Sequence, residues 1–242
     1  METELIKFFA SVIAIFFVLI PHEFAHAFVA YKNGDATPKM YGRLTLNPIK
    51  HLDPIGWIMC IFTGFGWAKP VPIYPYNFKN YRVGLFTTAI AGVSANYIIA
   101  FIAFPLYLLF ATVLGPIAET EAALTAINII GTIFFYIFSF SLTIVVFNLL
   151  PFNPLDGFRI VESFTREINP VRRFLKNYGL YILIALVVES FVCTKIVQYT
   201  DLDYFKYFNL LWYPHWFSMN ILGFPIIAMW EAIFQIPIVW PI

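Results

Sequence analysis

The chain has 242 residues, 60% of them apolar and only 12% charged, and its mean hydropathy is +0.77. That composition excludes an ordinary soluble domain and points to a multispan membrane protein. A formal net charge of +1 gives no electrostatic ground for a nucleic acid or an acidic partner.

Residues 5 to 30 form an apolar run long enough for a helix across a hydrocarbon core of about 30 Å. Glu2 and Glu4 precede it, and it continues into HEFAH instead of a small-residue cleavage site, so it is expected to be a retained span and not a signal peptide. Next comes IGWIMCIFTGFGW, residues 55 to 67, apolar but too short to span and carrying three glycines. It reads as a segment that dips in and returns, its backbone covered by other protein. KPVPIYPYNF, residues 69 to 78, is proline-punctuated and extended; it fits either a clamp that offers a strand edge to an unwound peptide or a plain connector.

Residues 84 to 114, 122 to 150 and 178 to 197 supply the second, third and fourth spans, each apolar all round. The tail from Tyr207 holds Trp212, Trp216, Trp230 and Trp240 among prolines, which suits interfacial anchoring or an irregular fifth span. No repeat or polar linker separates a second domain. The expected architecture is therefore an all-α multispan membrane protein of four to five transmembrane helices, with a re-entrant, partly extended loop between the first and second. Residues 1 to 206 form its core, and 207 to 242 an aromatic tail of the same domain. Cys60 and Cys193, alone in apolar segments, read as free buried thiols.

Lysine and arginine set the orientation. The loop from 31 to 83 has seven (Lys32, Lys39, Arg43, Lys50, Lys69, Lys79, Arg82), and five more (Arg159, Arg166, Arg172, Arg173, Lys176) follow the third span, together twelve of fifteen. The connection from 115 to 121 has none. The positive-inside rule places both basic loops in the cytoplasm and the N-terminus outside.

Against that topology, PHEFAHAFVAYKNG at residues 21 to 34 stands out, because ionisable groups at bilayer depth are costly. His22 and His26 are four apart, so on a helix they share a face and both imidazoles can reach one metal. Glu23 lies beside them, placed to take a proton from a water activated there. A catalytic zinc needs a third protein ligand and an open fourth position. NLLPFNPLDG, residues 148 to 157, supplies Asp156. Pro151 and Pro154 end the preceding helix and Gly157 permits a sharp turn, so Asp156 is expected on irregular backbone. The C-terminal ends of the first and third spans face the same, cytoplasmic side, which allows the two motifs to meet.

Together these segments resemble the site-2 protease family of intramembrane zinc metalloproteases: HEFAHA in the first span, GRLTLNPIKHLDPIG and GWAKPVPI in the loop, AGVSAN in the second span and NLLPFNPLDG after the third. The resemblance covers most of residues 15 to 160. It implies one zinc ion per chain held by His22, His26 and Asp156, with Glu23 as general base and Asn148 stabilising the oxyanion of peptide hydrolysis. Val93 stands where relatives often have proline, and Asn153 replaces a proline common before PLDG; both bear on local backbone shape. The chain looks like a compact member without a PDZ or CBS domain.

The function expected is thus a zinc-dependent endopeptidase in the cell membrane, cutting transmembrane protein substrates near the cytoplasmic face, with the lipid bilayer as its other partner and no nucleic acid. A metal transporter or sensor using the His/His/Asp set is the alternative, and a silent scaffold a third. Transport needs ligands but no adjacent base, so Glu23 discriminates. Asn96, with Gly92 a turn earlier, is expected to let helices approach closely or to bond across them, a structural role ahead of direct catalysis. His51 and Asp53 fit a contact behind the site, a gating contact or a solvated loop pair. Glu189 is assigned to an interhelical cavity or the outer surface, and His215 to the aromatic belt.

Overall fold

A computed structural model describes residues 2–63, 67–200 and 207–234. All regular structure among them is helical. In chain order the helices are α1 (Glu2–Lys32), α2 (Thr37–Met40), α3 (Pro48–His51), α4 (Pro54–Thr63), α5 (Tyr81–Leu108), α6 (Glu121–Leu149), α7 (Asp156–Phe164), α8 (Pro170–Thr200), α9 (Trp212–Phe217) and α10 (Gly223–Phe234). A wide helical turn over Leu109–Leu114 prolongs α5, and another over Ser218–Leu222 joins α9 to α10. Five stretches are long and apolar enough to cross a membrane: Glu4–Lys32, Tyr81–Ile117, Glu121–Leu149, Pro170–Thr200 and Trp212–Phe234. The aromatic tail thus supplies a fifth such helix, and Trp240 lies outside the described residues.

The helix starts follow from local chemistry. Asn80 caps α5 by accepting from the Val83 N–H at 3.1 Å, and Thr120 caps α6 by accepting from Ala123 N–H at 3.2 Å. Pro21 lies inside α1, one residue before His22, and cannot donate to the carbonyl four residues earlier. At 1.5 Å per residue α1 is about 46 Å long, more than a ~30 Å hydrocarbon core requires, and the histidine motif falls in its C-terminal third.

The centre is formed by α1, α5 and α6. Ala14 and Val18 of α1, Ala100, Ala103, Phe104 and Leu108 of α5, and Ile137, Phe138 and Leu142 of α6 make one buried cluster, which Met219, Ile226 and Ile227 of the tail complete. Phe104 and Phe138 rings meet at 4.7 Å. Lipid tails are as apolar as these side chains, so close packing and not expulsion from water holds such helices together. Small residues serve that packing: Ala10, Ala14, Ala27 and Ala30 of α1 are all essentially inaccessible.

The segment between α1 and α5 lies against α1. Trp57 of α4 stacks on Phe16 with centroids 4.2 Å apart. With ten residues α4 is too short to cross a bilayer, and the chain from 67 to 74 has no regular structure. Residues 64 to 66, with two of the glycines of the expected re-entrant turn, lie outside the described residues, as does the side chain of Cys60. Arg172, counted above among the loop cations, is in fact buried at the start of α8, where its guanidinium pairs with Glu162 of α7 and donates to the Thr165 carbonyl.

Candidate metal centre

α1 presents His22 and His26 on one face, and the stripe of α5 opposite consists of Thr88, Gly92 and Asn96, spaced four residues apart and buried. Gly92 is required by proximity: a Cβ there would lie 2.4 Å from His26 Nε2 and 2.6 Å from His22 Cε1. No larger residue leaves the imidazoles in place. Asn96 and Gly92 thus form the wall behind the two rings, the glycine by close approach and the asparagine by bonding across to α1.

Asp156 reaches the same point from the far side. It is the first residue of α7, so the expectation of irregular backbone is corrected: the turn comes earlier, at residues 150 to 155, and the aspartate stands in the first helical turn. Gly157 does not turn the chain through a left-handed conformation. A Cβ on it would lie 2.3 Å from the carbonyl oxygens of both Leu149 and Leu150, so its smallness lets α7 press against the end of α6. The turn is braced by α8, where Gly179 packs against the Asn153 main chain and the Asn153 carboxamide donates to the Lys176 carbonyl at 3.3 Å.

His22 Nε2, His26 Nε2 and Asp156 Oδ2 converge in a small triangle. The two nitrogens are 3.0 Å apart, and the carboxylate oxygen is 3.0 Å from His26 and 3.3 Å from His22. The residues are 4%, 4% and 8% exposed, and together they could hold a metal ion. Zinc fits this donor set. Ligand distances near 2.0–2.2 Å in a tetrahedron put donor atoms about 3.3 Å apart. His26 Nδ1 lies 2.7 Å from the Thr88 carbonyl. A carbonyl only accepts, so Nδ1 carries the proton and Nε2 of the neutral ring keeps its lone pair. That lone pair faces a second imidazole nitrogen and a carboxylate, an arrangement a cation resolves.

Glu23 is half-buried beside the triangle and is not part of it. Its Oε2 accepts from the Val71 N–H at 3.1 Å, which brings the proline-rich segment across the site. Farther along, buried Asp35 accepts from Tyr74 N–H at 2.7 Å, from the Asn77 carboxamide at 2.9 Å and from the Thr37 hydroxyl and N–H. Burial alone would raise this carboxyl, and the four donors hold it below its usual value. Neither Val71 nor Asp35 announced itself in the sequence. Val71 acts through its backbone, although its setting between Pro70 and Pro72, which have no N–H, marks it as the one donor of that tripeptide.

Asn148 is half-buried near the end of α6, and its carboxamide makes no hydrogen bond among the described residues. His51 and Asp53 are not drawn to the metal ligands, nor are they a solvated pair. His51 is buried and donates from Nε2 to the Thr45 carbonyl at 2.8 Å, while Asp53 accepts from Gly56 N–H at 2.9 Å at the start of α4. His215 bonds to Thr143 of α6 at 3.0 Å, and Glu189 accepts from Cys193 and from the Leu210 N–H.

Comparison with known proteins agrees with this geometry. Residues 108–189 match the family model described as "Peptidase family M50". The chain is 39% identical over 199 residues to "Putative zinc metalloprotease YwhC" of Bacillus subtilis (strain 168), covering 80% of this chain and 88% of that one. It is 31% identical over 207 residues to "Putative zinc metalloprotease Rip2" of Mycobacterium tuberculosis (strain ATCC 35801 / TMC 107 / Erdman), covering 81% and 74%. No solved structure matches the chain.

Proposed function

Because the chain belongs to peptidase family M50 and is a zinc metalloprotease with five membrane-length helices, we propose that it hydrolyses peptide bonds of transmembrane protein substrates near the cytoplasmic face of the membrane. The observation that carries this reading is the buried triangle of His22, His26 and Asp156 with a separate carboxylate, Glu23, beside it. A carrier of metal ions needs the triangle but has no use for the extra base.

His22, His26 and Asp156 are the residues that would hold the zinc. Zinc, when bound, polarises the scissile carbonyl and acidifies the attacking water. Glu23 takes the proton of that water as the C–O bond forms, and delivers it to the nitrogen of the amine as the C–N bond breaks. Asn148 donates from its uncommitted carboxamide to the developing oxyanion. A helical substrate hides its carbonyls in i to i−4 bonds and must unwind to be cut. Residues 69 to 74, fastened beside Glu23 and Asp35, offer irregular, proline-punctuated backbone against which an unwound segment can lie, whereas Pro75–Asn77, expected to be extended as well, form a short 3-10 turn. The domain is a single unit, residues 1 to 206 carrying the site and the tail from 207 packing on α6. The twelve-to-three distribution of basic residues supports opening of the site toward the cytoplasm.

Zinc content and cleavage of a co-reconstituted membrane substrate test the reading together. Glu23→Gln is expected to keep zinc and abolish cleavage, because the amide cannot accept the proton. His22→Ala and Asp156→Ala lose zinc as well. Asn148→Ala keeps zinc and slows cleavage by roughly ten- to a thousandfold, as when an oxyanion donor is removed. Wild-type cleavage by Glu23→Gln removes that residue from the mechanism. A wild type that binds zinc, cleaves nothing across a broad panel and moves metal into vesicles makes the protein a transporter.

A further inference from the structure

The two histidines of the site are oriented by different means. The His26 ring is held by a backbone carbonyl, Thr88 O, which can only accept. The His22 ring has a side chain in the corresponding place: Asn96, fully buried on α5, with Nδ2 3.2 Å from His22 Nδ1 and with Oδ1 lacking any partner among the described residues. The ends of a carboxamide are nearly isosteric, so the chemistry of the partner decides which of them faces the ring. If His22 Nε2 is a metal ligand it keeps its lone pair, and Nδ1 carries the ring proton. An amide nitrogen facing Nδ1–H would set donor against donor. The carboxamide oxygen in that position accepts the proton instead. Rotating the amide leaves its NH2 as the end without a protein partner, in place of its oxygen, so the net gain is the bond to His22.

We propose that Asn96 is a positioning residue of the zinc centre, its carboxamide oxygen accepting from His22 Nδ1–H and so presenting the Nε2 lone pair to the metal. The inference rests on the reading of His22, His26 and Asp156 as the ligands. It makes the two histidines unequal. A side-chain change cannot delete the carbonyl that orients His26, whereas a single substitution at position 96 frees the His22 ring. A buried asparagine in a membrane helix is costly unless bonded, and here its partner is the metal ligand itself.

The test is zinc affinity of the full-length protein in detergent, measured by competition with a chromophoric chelator, and it needs no substrate. Asn96→Ala is expected to weaken zinc binding about 10- to 100-fold, the usual effect of removing a group that orients a ligand. Asn96→Asp separates an accepting role from a donating one, because a carboxylate accepts and cannot donate. It is expected to bind zinc at least nearly as tightly as the wild type, and it decides the question even if the alanine variant fails to fold. In the cobalt-substituted protein, visible absorption of Asn96→Ala is expected to shift while that of Asn96→Asp stays close to wild type. An Asn96→Asp protein that loses zinc affinity, or an Asn96→Ala protein that keeps it, overturns the proposal. Absence of zinc binding by the wild type would instead sink the ligand assignment on which it rests.

Discussion

The backbone N–H of Val71 donates to Oε2 of Glu23 across 3.1 Å, joining the proline-rich segment to the carboxylate proposed as general base. Pro70 and Pro72 have no N–H, so the tripeptide has a single donor and spends it here. Residues before proline are driven toward extended conformations, which keeps Lys69 and Val71 from coiling away. Val71→Pro deletes the donor while preserving extended backbone. The expected outcome is unchanged zinc content with cleavage slowed roughly ten- to a hundredfold, the scale of a misoriented catalytic group. Equal cleavage rates in variant and wild type would mean that Glu23 is oriented by something else.

Gly92 sets how closely α5 approaches the histidines. In Gly92→Ala the new methyl would lie 2.4 Å from His26 Nε2, the atom proposed to bind metal. Overpacking a rigid interior costs about 1–3 kcal/mol. Expressed entirely in zinc binding, that is roughly a 5- to 150-fold loss of affinity. Thermal unfolding of the same variant should change little in excess chelator, where wild type and variant are both without metal. A variant with wild-type zinc affinity would show that the helices can separate without moving the rings.

Asp35 anchors the far end of the proline-rich segment, and its carboxyl sits below the ordinary value of 3.8 because of its four donors. The sign follows from linkage. A carboxyl that is more acidic when folded adds stability above its unfolded value, and that stability is lost as pH falls through the folded value. Asp35→Asn is therefore expected to melt below the wild type at pH 7, with the gap closing below about pH 4. A gap independent of pH would assign the effect to packing and not to charge.

Orientation is testable by labelling single cysteines in intact cells, in a background lacking Cys60 and Cys193. Lys50→Cys and Arg173→Cys are expected to be protected from an impermeant reagent and Glu119→Cys to react. All three positions are exposed, whereas Arg172 is buried and unsuited to the purpose. Reaction at 50 or 173 would place the basic loops outside and reverse the proposed opening of the site.

Much of this protein was legible in the order of its residues. Apolar runs longer than a bilayer is thick dictate helices, because a lipid-exposed backbone must satisfy its own hydrogen bonds. The four-residue spacing of His22 and His26 dictates a shared face, because a helix turns every 3.6 residues. The candidate Asp156 could be chosen because helix ends and basic loops assign it to the same side as His26. Tryptophans and prolines suit a belt and a span equally, so the sequence does not choose between them for the tail, and only its packing on α6 and α5 shows helix from 212 to 234.

What tertiary structure alone decided are relations between atoms that have no sequence signature. The carbonyl of Thr88 and the N–H of Val71 are backbone groups present at nearly every residue, and only the crossing of α5 and the path of the loop select these two. Gly92 and Gly157 look alike as letters with Gly34, yet Gly34 has φ of 113° and serves a turn, while the other two are small because His26 and the end of α6 come within 2.4 Å of where a Cβ would stand. Asp156 was expected on irregular backbone because two prolines precede it. The prolines end α6, but the fit of Gly157 against the Leu149 and Leu150 carbonyls starts α7 at the aspartate itself. Proline and glycine report where a chain stops or bends, through local sterics. Where it then goes depends on what it packs against, and that is a property of distant segments brought together.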